Sequence, residues 1–545
     1  MTRRAGGGGS GARAWALFVV AFACLPILGA LTTRRVFFIR DLSFFFWSRH
    51  LWLRHTLFGG QAPWWDPYVA GGQSAIADAL NQLLMPVTVA IRLLPSDVVS
   101  FNLWIALPLP IAALGMFLFL RRLRPGSGQG PALGACAFAL SGPVVSMLNT
   151  PNLSWSVALL PWVVLAADHV RESSSPRAFA ALALAFALQA LCGEPVTWAS
   201  TAAVAVAYAI FRLKAEATRE QEHAEAAEPG LNHVASGSRR KITVVAALAA
   251  GALLAAGQLV PTAMAGVRAH RGALATPDFW SLHPFALWET VAPHLFGHYY
   301  DAFLADLPWI GALNFGRDPF FYSLYIGPLV LLLACLGVVT CFRRNAVWLA
   351  IALVFLAAAL GGYTPLYPLV RRLFPPLMYF RFPVKYLLIS LFACAVLVAE
   401  GFAGLLPPAH DPPPEGGSHG SGERGGASTR RAWVPHRSTW LPPLGGSLTA
   451  IAALGLLLSL ALFLAPDLAA RAARGFAVSA HLKDPTAGGV FLARVGPSLL
   501  ARAFGLLLAG ALLIAAAGRS SLALPALFIA TCADLLIANG GLNLT

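Results

Sequence analysis

Residues 36–72 read VFFIRDLSFFFWSRHLWLRHTLFGGQAPWWDPYVAGG, and only TTRR at 32–35 separates them from an apolar run at residues 15–31. The run has the length and composition of a membrane helix, and tryptophan and arginine side chains are typical of the interface where such a helix ends. Asp41 lies close to that end. A carboxylate among arginines and tryptophans at a membrane surface suits an enzyme that acts on an anionic lipid.

The composition of the whole chain is that of a membrane protein. Hydrophobic residues make up 57% of the 545 residues and charged residues only 12%, and the mean hydropathy is +0.67. These values exclude a soluble globular protein of this length. We therefore predict an all-α, polytopic transmembrane bundle with about 13 helices, at residues 15–31, 98–120, 131–148, 154–167, 178–191, 196–211, 242–264, 321–341, 347–360, 384–406, 444–464, 499–517 and 522–538.

Basic residues predict the topology of this bundle. The short loops 121–124, 171–177 and 343–345 are all basic, which places them and the N-terminus in the cytoplasm. The transmembrane core then covers residues 1–407, with external amphipathic loops at 32–97, 265–320 and 361–383. Residues 408–443, rich in Pro, Gly and Ser, form a flexible cytoplasmic linker. Residues 444–545 form C-terminal helices, with a further external loop at 465–498.

The net charge of +15 does not indicate nucleic acid, because the basic residues form short clusters between apolar spans. Several arginines nevertheless fall in the predicted external loops, where either they bind an anion or long loops simply tolerate them. The seven cysteines lie in or at the ends of apolar spans without a CxxC motif. We expect no disulfide, no metal site and no cofactor.

Two aspartates are candidates for a general base. Asp41 is surrounded by aromatic residues that would partly desolvate it, and its alternative role is an ion pair with Arg40 or Arg35. Asp66 lies between Trp65 and Pro67, where an Asx turn explains it without catalysis.

Several segments carry a resemblance to a known family. They are GGQAPWWDPYVAGGQSAIAD (59–78), GEPVTWA (193–199), AAGQLVPTAMAGVRAHRG (255–272), WSLHPFALWETVAPHLFG (280–297), YIGPLVLLL (325–333) and ALGGYTPLYPLVRRLFPPLMYFRFPVKYLL (359–388). In this order they resemble the YfhO-like integral membrane proteins of bacteria, which are grouped with the GT-C glycosyltransferases. The resemblance covers nearly the whole chain.

The resemblance implies a GT-C-like fold and an enzyme that transfers a sugar from a polyprenyl-phosphate carrier to a cell-envelope glycan or lipid. The reaction would take place at the outer face of the bacterial inner membrane. The essential acid of the first external loop maps onto Asp41, with Asp66 as the nearest alternative. Arg381 and Lys385, four residues apart and predicted to share one helical face, would hold the lipid phosphate or else extend to the lipid headgroups.

Other polar residues complete the candidate site. We count Arg40, Glu194 and His298 among the residues that contact substrate. Glu194 departs from the His-containing turn that the family has there, and a surface turn is the alternative for His298. Glu400 and Asp534 lie inside apolar spans, which requires partners or a polar cavity.

Two other function classes stay open. A transporter or flippase of lipid-linked sugars would also use external arginines and buried acids, and a membrane scaffold without chemistry is the third alternative. The chain closes with DLLIANGGLNLT after its last span, where relatives often continue, so we expect a short form or a truncated chain.

Overall fold

The computed structural model describes residues 8–33, 35–69, 71–126, 128–173, 175–224, 233–268, 278–298, 308–373, 381–406, 437–517 and 519–542. The described α-helices are Gly8–Cys24, Leu28–Thr32, Trp47–Phe58, Pro86–Arg92, Asp97–Ala106, Pro108–Leu123, Gln129–Ala139, Gly142–Ser146, Pro151–Ser173, Pro176–Ala190, Pro195–Ala224, His233–Leu254, Ala256–Arg268, Pro308–Leu313, Pro328–Thr340, Phe342–Ala359, Leu366–Leu373, Leu387–Leu405, Arg437–Leu464, Pro466–Ser479, Pro485–Ala516 and Ala523–Asn539. Short 3₁₀ turns cover Leu25–Ile27, Ala79–Asn81, Met147–Asn149, Pro284–Thr290, Gly361–Tyr363 and Pro383–Tyr386, and a π turn covers Leu42–Phe46.

The all-α prediction is confirmed. Within the described ranges, β structure is limited to the two-residue strands Trp65–Asp66 and Gln73–Ser74, which pair antiparallel. In the described part of the chain, seven helices are long and apolar enough to cross a membrane, at Gly11–Thr32, Asp97–Leu123, Pro151–Ser173, Phe342–Ala359, Pro383–Leu405, Gly446–Leu464 and Pro485–Ala516. The protein is a multi-pass membrane protein.

The count of about 13 spans is not confirmed. Two predicted spans are bent pairs of helices, Gln129–Ala139 with Gly142–Asn149 at 50° and Arg240–Leu254 with Ala256–Arg268 at 72°. Counting each pair as one span gives nine among the described residues. Three shorter apolar helices are also described, at Pro176–Ala190, Pro328–Thr340 and Ala523–Asn539. The predicted linker is described only from residue 437 onward, where a helix begins.

The helix Leu387–Leu405 runs through the centre of the bundle and is buried along almost its whole length. It packs most closely on Pro328–Thr340, where a Cβ on Gly401 would lie 1.9 Å from the carbonyl oxygen of Leu333. A glycine is required at this position because only its missing side chain lets the two backbones approach.

Charged residues separate to the two ends of this central helix. At its C-terminal end Glu400 pairs with Arg124 and Arg344, 2.6 and 3.3 Å away, so two of the basic loops predicted to be cytoplasmic meet here. Lys385 lies at the other end, about 22 Å away by the rise of a helix. The predicted inside and outside residues thus occupy opposite ends of the bundle, and the sidedness relative to the membrane stays a prediction.

Candidate functional site

Three non-glycine residues with left-handed backbone conformations meet at one place near the start of the central helix. Arg40, Trp280 and Phe382 have φ angles of 51°, 56° and 68°. The guanidinium of Arg40 lies 6.0 Å from the Trp280 ring centroid, and the Trp280 and Phe382 rings are 4.7 Å apart. Such conformations are costly for residues with a Cβ and concentrate at functional sites. Their meeting point is the candidate site.

Asp41 lies at the edge of this cluster with its side chain exposed. It directly precedes the π turn Leu42–Phe46 but does not cap it. Among the described residues its carboxylate forms no ion pair or hydrogen bond, so the alternative pairing with Arg40 or Arg35 is not formed there. An exposed carboxylate without such a partner is able to accept a proton from an incoming hydroxyl group.

Arg40 is turned away from Asp41. Its Nη1 donates a hydrogen bond of 2.8 Å to the carbonyl oxygen of Pro319, and its guanidinium also faces the Tyr322 ring at 5.8 Å. The left-handed φ of Arg40 directs its side chain into the second external loop and leaves the following carboxylate at the surface. Arg40 therefore joins the first and second predicted external loops.

Lys385 and Glu194 form an ion pair that joins two distant parts of the chain. The Nζ of Lys385 lies 3.0 Å from Oε2 of Glu194, and their side chains are 12% and 2% exposed. Glu194 Oε1 also accepts the backbone N–H of Val196 at 3.3 Å. The ammonium faces the rings of Phe382 and Phe320 at 5.2 and 5.9 Å, which places the pair next to the strained cluster.

The turn that carries Glu194 is held by close backbone packing. Gly193 has a φ of +79°, and a Cβ there would lie 2.4 Å from the carbonyl oxygen of Ala79. The turn thus rests against residues 78–82 of the first external loop, where Gln82 donates to the Cys192 carbonyl oxygen at 3.0 Å. Glycine at position 193 brings Glu194 within reach of Lys385.

The expectation that Arg381 and Lys385 share one helical face is wrong. Phe382 is left-handed, the 3₁₀ turn begins at Pro383 and the α-helix begins at Leu387. A residue before proline is disfavoured in the α-helical region, so the helix cannot extend back to Arg381. Arg381 is exposed and precedes the turn, whereas Lys385 points into the protein.

Asp66 has the structural role that its neighbours predicted. It is buried, and its Oδ1 accepts the backbone N–H of Tyr68 at 2.9 Å, which is an Asx turn. Asp78 pairs with Arg49 and accepts the N–H of Leu80, so it also stabilises the first loop.

His298 lies at a cavity apart from the strained cluster. Its ring centroid is 4.2 Å from that of His294, and both rings line a space of about 270 Å³ together with Arg502. Burial and the neighbouring His298 and Arg502 lower the pKa of His294 to about 4, so this ring is neutral at neutral pH. Arg502 pairs with Asp534 at 2.9 Å, which gives the second intramembrane acid its partner.

Sequence reasoning missed the aromatic residues that connect these groups. Trp280, Phe320 and Phe382 contact one another with centroid distances of 4.7 to 5.6 Å. Trp280 and Phe382 belong to segments that carry the family resemblance and Phe320 does not, and nothing in the sequence indicates that the three positions are neighbours. The one local sign of an unusual backbone is that Phe382 directly precedes Pro383.

One family model and two solved structures are similar to this chain. The family described as "Alpha-(1->3)-arabinofuranosyltransferase, N-terminal GT-C domain" matches residues 89–227. No curated protein matches the chain by sequence. Two crystal structures of ArnT from Cupriavidus metallidurans align with 97% of this chain and 76% of theirs. The apo form has 14% identity and a TM-score of 0.42, and the form bound to undecaprenyl phosphate has 15% and 0.39. The matched segment 89–227 includes Glu194 and is similar to a GT-C glycosyltransferase domain.

Proposed function

We propose that this chain is a GT-C glycosyltransferase that transfers a sugar from a polyprenyl-phosphate carrier to a cell-envelope glycan or lipid at the outer face of the bacterial inner membrane. The family match to residues 89–227 and the family resemblance of the sequence motifs, which points to the YfhO-like branch, both support the class of enzyme. The observation that carries the proposal is the exposed Asp41 carboxylate beside a strained cluster with basic residues at its edge.

Asp41 acts as the general base in this proposal. As the acceptor hydroxyl attacks the anomeric carbon, its proton passes to the Asp41 carboxylate and a new carbon–oxygen bond forms. The bond from the anomeric carbon to the phosphate oxygen breaks, and the polyprenyl phosphate leaves with the electron pair. Attack from the face opposite the phosphate inverts the anomeric configuration.

Arg381 and Lys385 stabilise the departing phosphate. Arg381 is exposed where the chain enters the central helix, so a lipid phosphate at the membrane surface can reach it. Lys385 already has Glu194 as its partner, and its contact with phosphate would compete with or share that pair. Positive charge placed where negative charge develops is the usual source of such stabilisation.

Reconstituted protein tests the proposal against the flippase alternative. Proteoliposomes with purified wild-type protein receive a radiolabelled polyprenyl-phosphate sugar and an extract of cell-envelope acceptors. A glycosyltransferase moves the label to the acceptor and releases polyprenyl phosphate. Movement of intact donor across the bilayer without any transferred label would instead support the flippase. If neither transfer nor movement occurred, the membrane scaffold would be the remaining alternative.

A further inference from the structure

A small cavity adjoins the candidate site on the side of the second external loop. It measures about 50 Å³, and Trp280, Phe320, Glu289 and Asn314 are among the residues that line it. Trp280 also faces Arg40, and the ring of Phe320 lies 5.9 Å from Nζ of Lys385. The cavity therefore shares one wall with Arg40 and another with Lys385, which is proposed to lie near the phosphate.

Polar atoms in the cavity keep hydrogen-bonding capacity. Oε1 of Glu289 accepts the backbone N–H of Phe296 at 3.1 Å, and Nδ2 of Asn314 donates to the Ile310 carbonyl oxygen at 3.0 Å. The second oxygen of Glu289 and Oδ1 of Asn314 have no hydrogen-bond partner in the described part of the chain. Two side chains held by one bond each thus offer a second polar atom to a ligand.

The charge of the cavity favours a neutral ligand. No Lys or Arg is among the described residues that line it, and the guanidinium of Arg40, which faces Trp280, already donates a hydrogen bond to the Pro319 carbonyl oxygen. Burial raises the pKa of Glu289 to about 7, so at neutral pH much of this carboxyl is protonated and able to donate a hydrogen bond. Nδ1 of the neighbouring His283 accepts the backbone N–H of Phe285. Because a ring nitrogen that accepts a hydrogen bond carries no proton, this imidazole is neutral.

The size of the cavity defines how much of a ligand it holds. A water molecule needs about 10 to 15 Å³ of such space, so the cavity has room for roughly three to five groups of that size. That volume accommodates the hydroxylated edge of one sugar ring and is too small for a whole disaccharide. Aromatic walls with hydrogen-bonding side chains suit a ring that has apolar C–H groups beside its hydroxyls.

We propose that this cavity is the subsite for the donor sugar, with Glu289 and Asn314 hydrogen-bonding its hydroxyls and Trp280 covering its apolar face. The inference rests on the proposed function, since the donor sugar is attached directly to the phosphate that Arg381 and Lys385 would hold. The subsite gives the enzyme a means to distinguish sugar-loaded from bare carrier.

Binding to bare and loaded carrier tests the subsite without any turnover. Purified full-length protein is titrated with undecaprenyl phosphate and with the same lipid linked to arabinofuranose, mannose, glucose or 4-amino-arabinose. The ratio of the two dissociation constants measures the contribution of the sugar. We expect wild type to bind at least one neutral loaded carrier about tenfold more tightly than bare carrier, as two hydrogen bonds would give.

Variants of the lining residues test whether the ratio of dissociation constants depends on the cavity. Glu289→Leu and Asn314→Leu should bring it close to one without changing the affinity for bare carrier. Glu289→Gln retains an acceptor for the Phe296 N–H and a second polar group, so this variant should have the wild-type ratio. Asp278→Asn, in the same loop but outside the cavity, is the matched control, and if Glu289→Leu does not fold, Asn314→Leu decides the test.

Other outcomes overturn the subsite in different ways. An unchanged ratio of dissociation constants in both leucine variants would show that the donor sugar does not bind in this cavity. An unchanged ratio together with a raised KM for the acceptor would show that the acceptor binds there instead. Preference for the amino sugar alone would contradict a neutral ligand. If wild type bound bare carrier and loaded carrier equally, only the subsite would fail, whereas binding to neither would also remove the proposed function.

Discussion

Breaking the ion pair between Lys385 and Glu194 separates its structural role from a role in donor binding. Lys385→Met leaves the Glu194 carboxylate buried with one backbone N–H as its partner. Removing one member of a buried pair costs about 3 to 5 kcal/mol. Glu194→Gln should cost less, about 1 to 3 kcal/mol, because the amide still accepts from Val196 and two aromatic rings still face the ammonium.

The double variant Lys385→Met/Glu194→Gln should be more stable than the sum of the two single changes predicts. No buried charge remains in it, so we expect a coupling energy of about 2 kcal/mol or more. Thermal unfolding of purified protein in detergent, followed by size-exclusion chromatography, ranks the variants. Lys483→Met, which changes an exposed lysine of the predicted external loop 465–498, is the matched control.

Donor dependence of the transfer rate completes the experiment. If Lys385 contacts the lipid phosphate, the double variant should regain stability yet need about tenfold more donor, because a charge-assisted contact is worth on the order of 1.5 to 3 kcal/mol. A double variant with unaltered donor dependence would leave Lys385 a purely structural role. If the double variant lost as much stability as the two single variants together, the reasoning about the ion pair itself would be refuted.

Three further changes test other parts of the account. Arg381→Gln should raise the donor concentration for half-maximal rate about tenfold with little effect on unfolding, and a lower stability with unchanged donor dependence would instead indicate contact with headgroups. The preference for sugar-loaded carrier should be strongest at low pH and should fall as pH rises through about 7, because the pKa of Glu289 is raised from 4.5 by burial and ionisation removes its donor. A constant preference from pH 5 to 9 would contradict this. Impermeant thiol reagents on intact cells should label cysteine at position 65 and not at position 177, two exposed positions predicted to face opposite sides, and the reverse pattern would invert the topology.

The helical spans could be predicted from the sequence because hydropathy acts locally. Each predicted apolar stretch coincides with at least one described helix, and the helix Pro195–Ala224 extends beyond the predicted span 196–211. The count of about 13 spans is not confirmed, because two spans bend and three apolar helices of the described chain are shorter than a membrane span. Just after the 72° break, Gln258 donates a 2.6 Å hydrogen bond to the Ile76 carbonyl oxygen, 182 residues away, and no local pattern indicates this contact.

The candidate site was only partly predictable for the same reason. Local chemistry identified the Asx turn of Asp66 and indicated that Glu400 and Asp534 require partners. The partner of Glu194 is 191 residues away in sequence, so no local pattern indicates it. Helical periodicity misled at Arg381, where the left-handed Phe382 interrupts the helix that spacing alone suggested.

Sugar transfer by Asp41→Asn protein tests the central claim most directly. The amide keeps the shape of the side chain but cannot take the acceptor's proton, so transfer from lipid-linked donor should fall by about 10² to 10⁴ in rate. The variant should stay folded and keep its affinity for bare carrier, as should the control Asp467→Asn at another exposed external position. Near wild-type transfer by Asp41→Asn, with loss of transfer in Asp66→Asn, would contradict the assignment of the base.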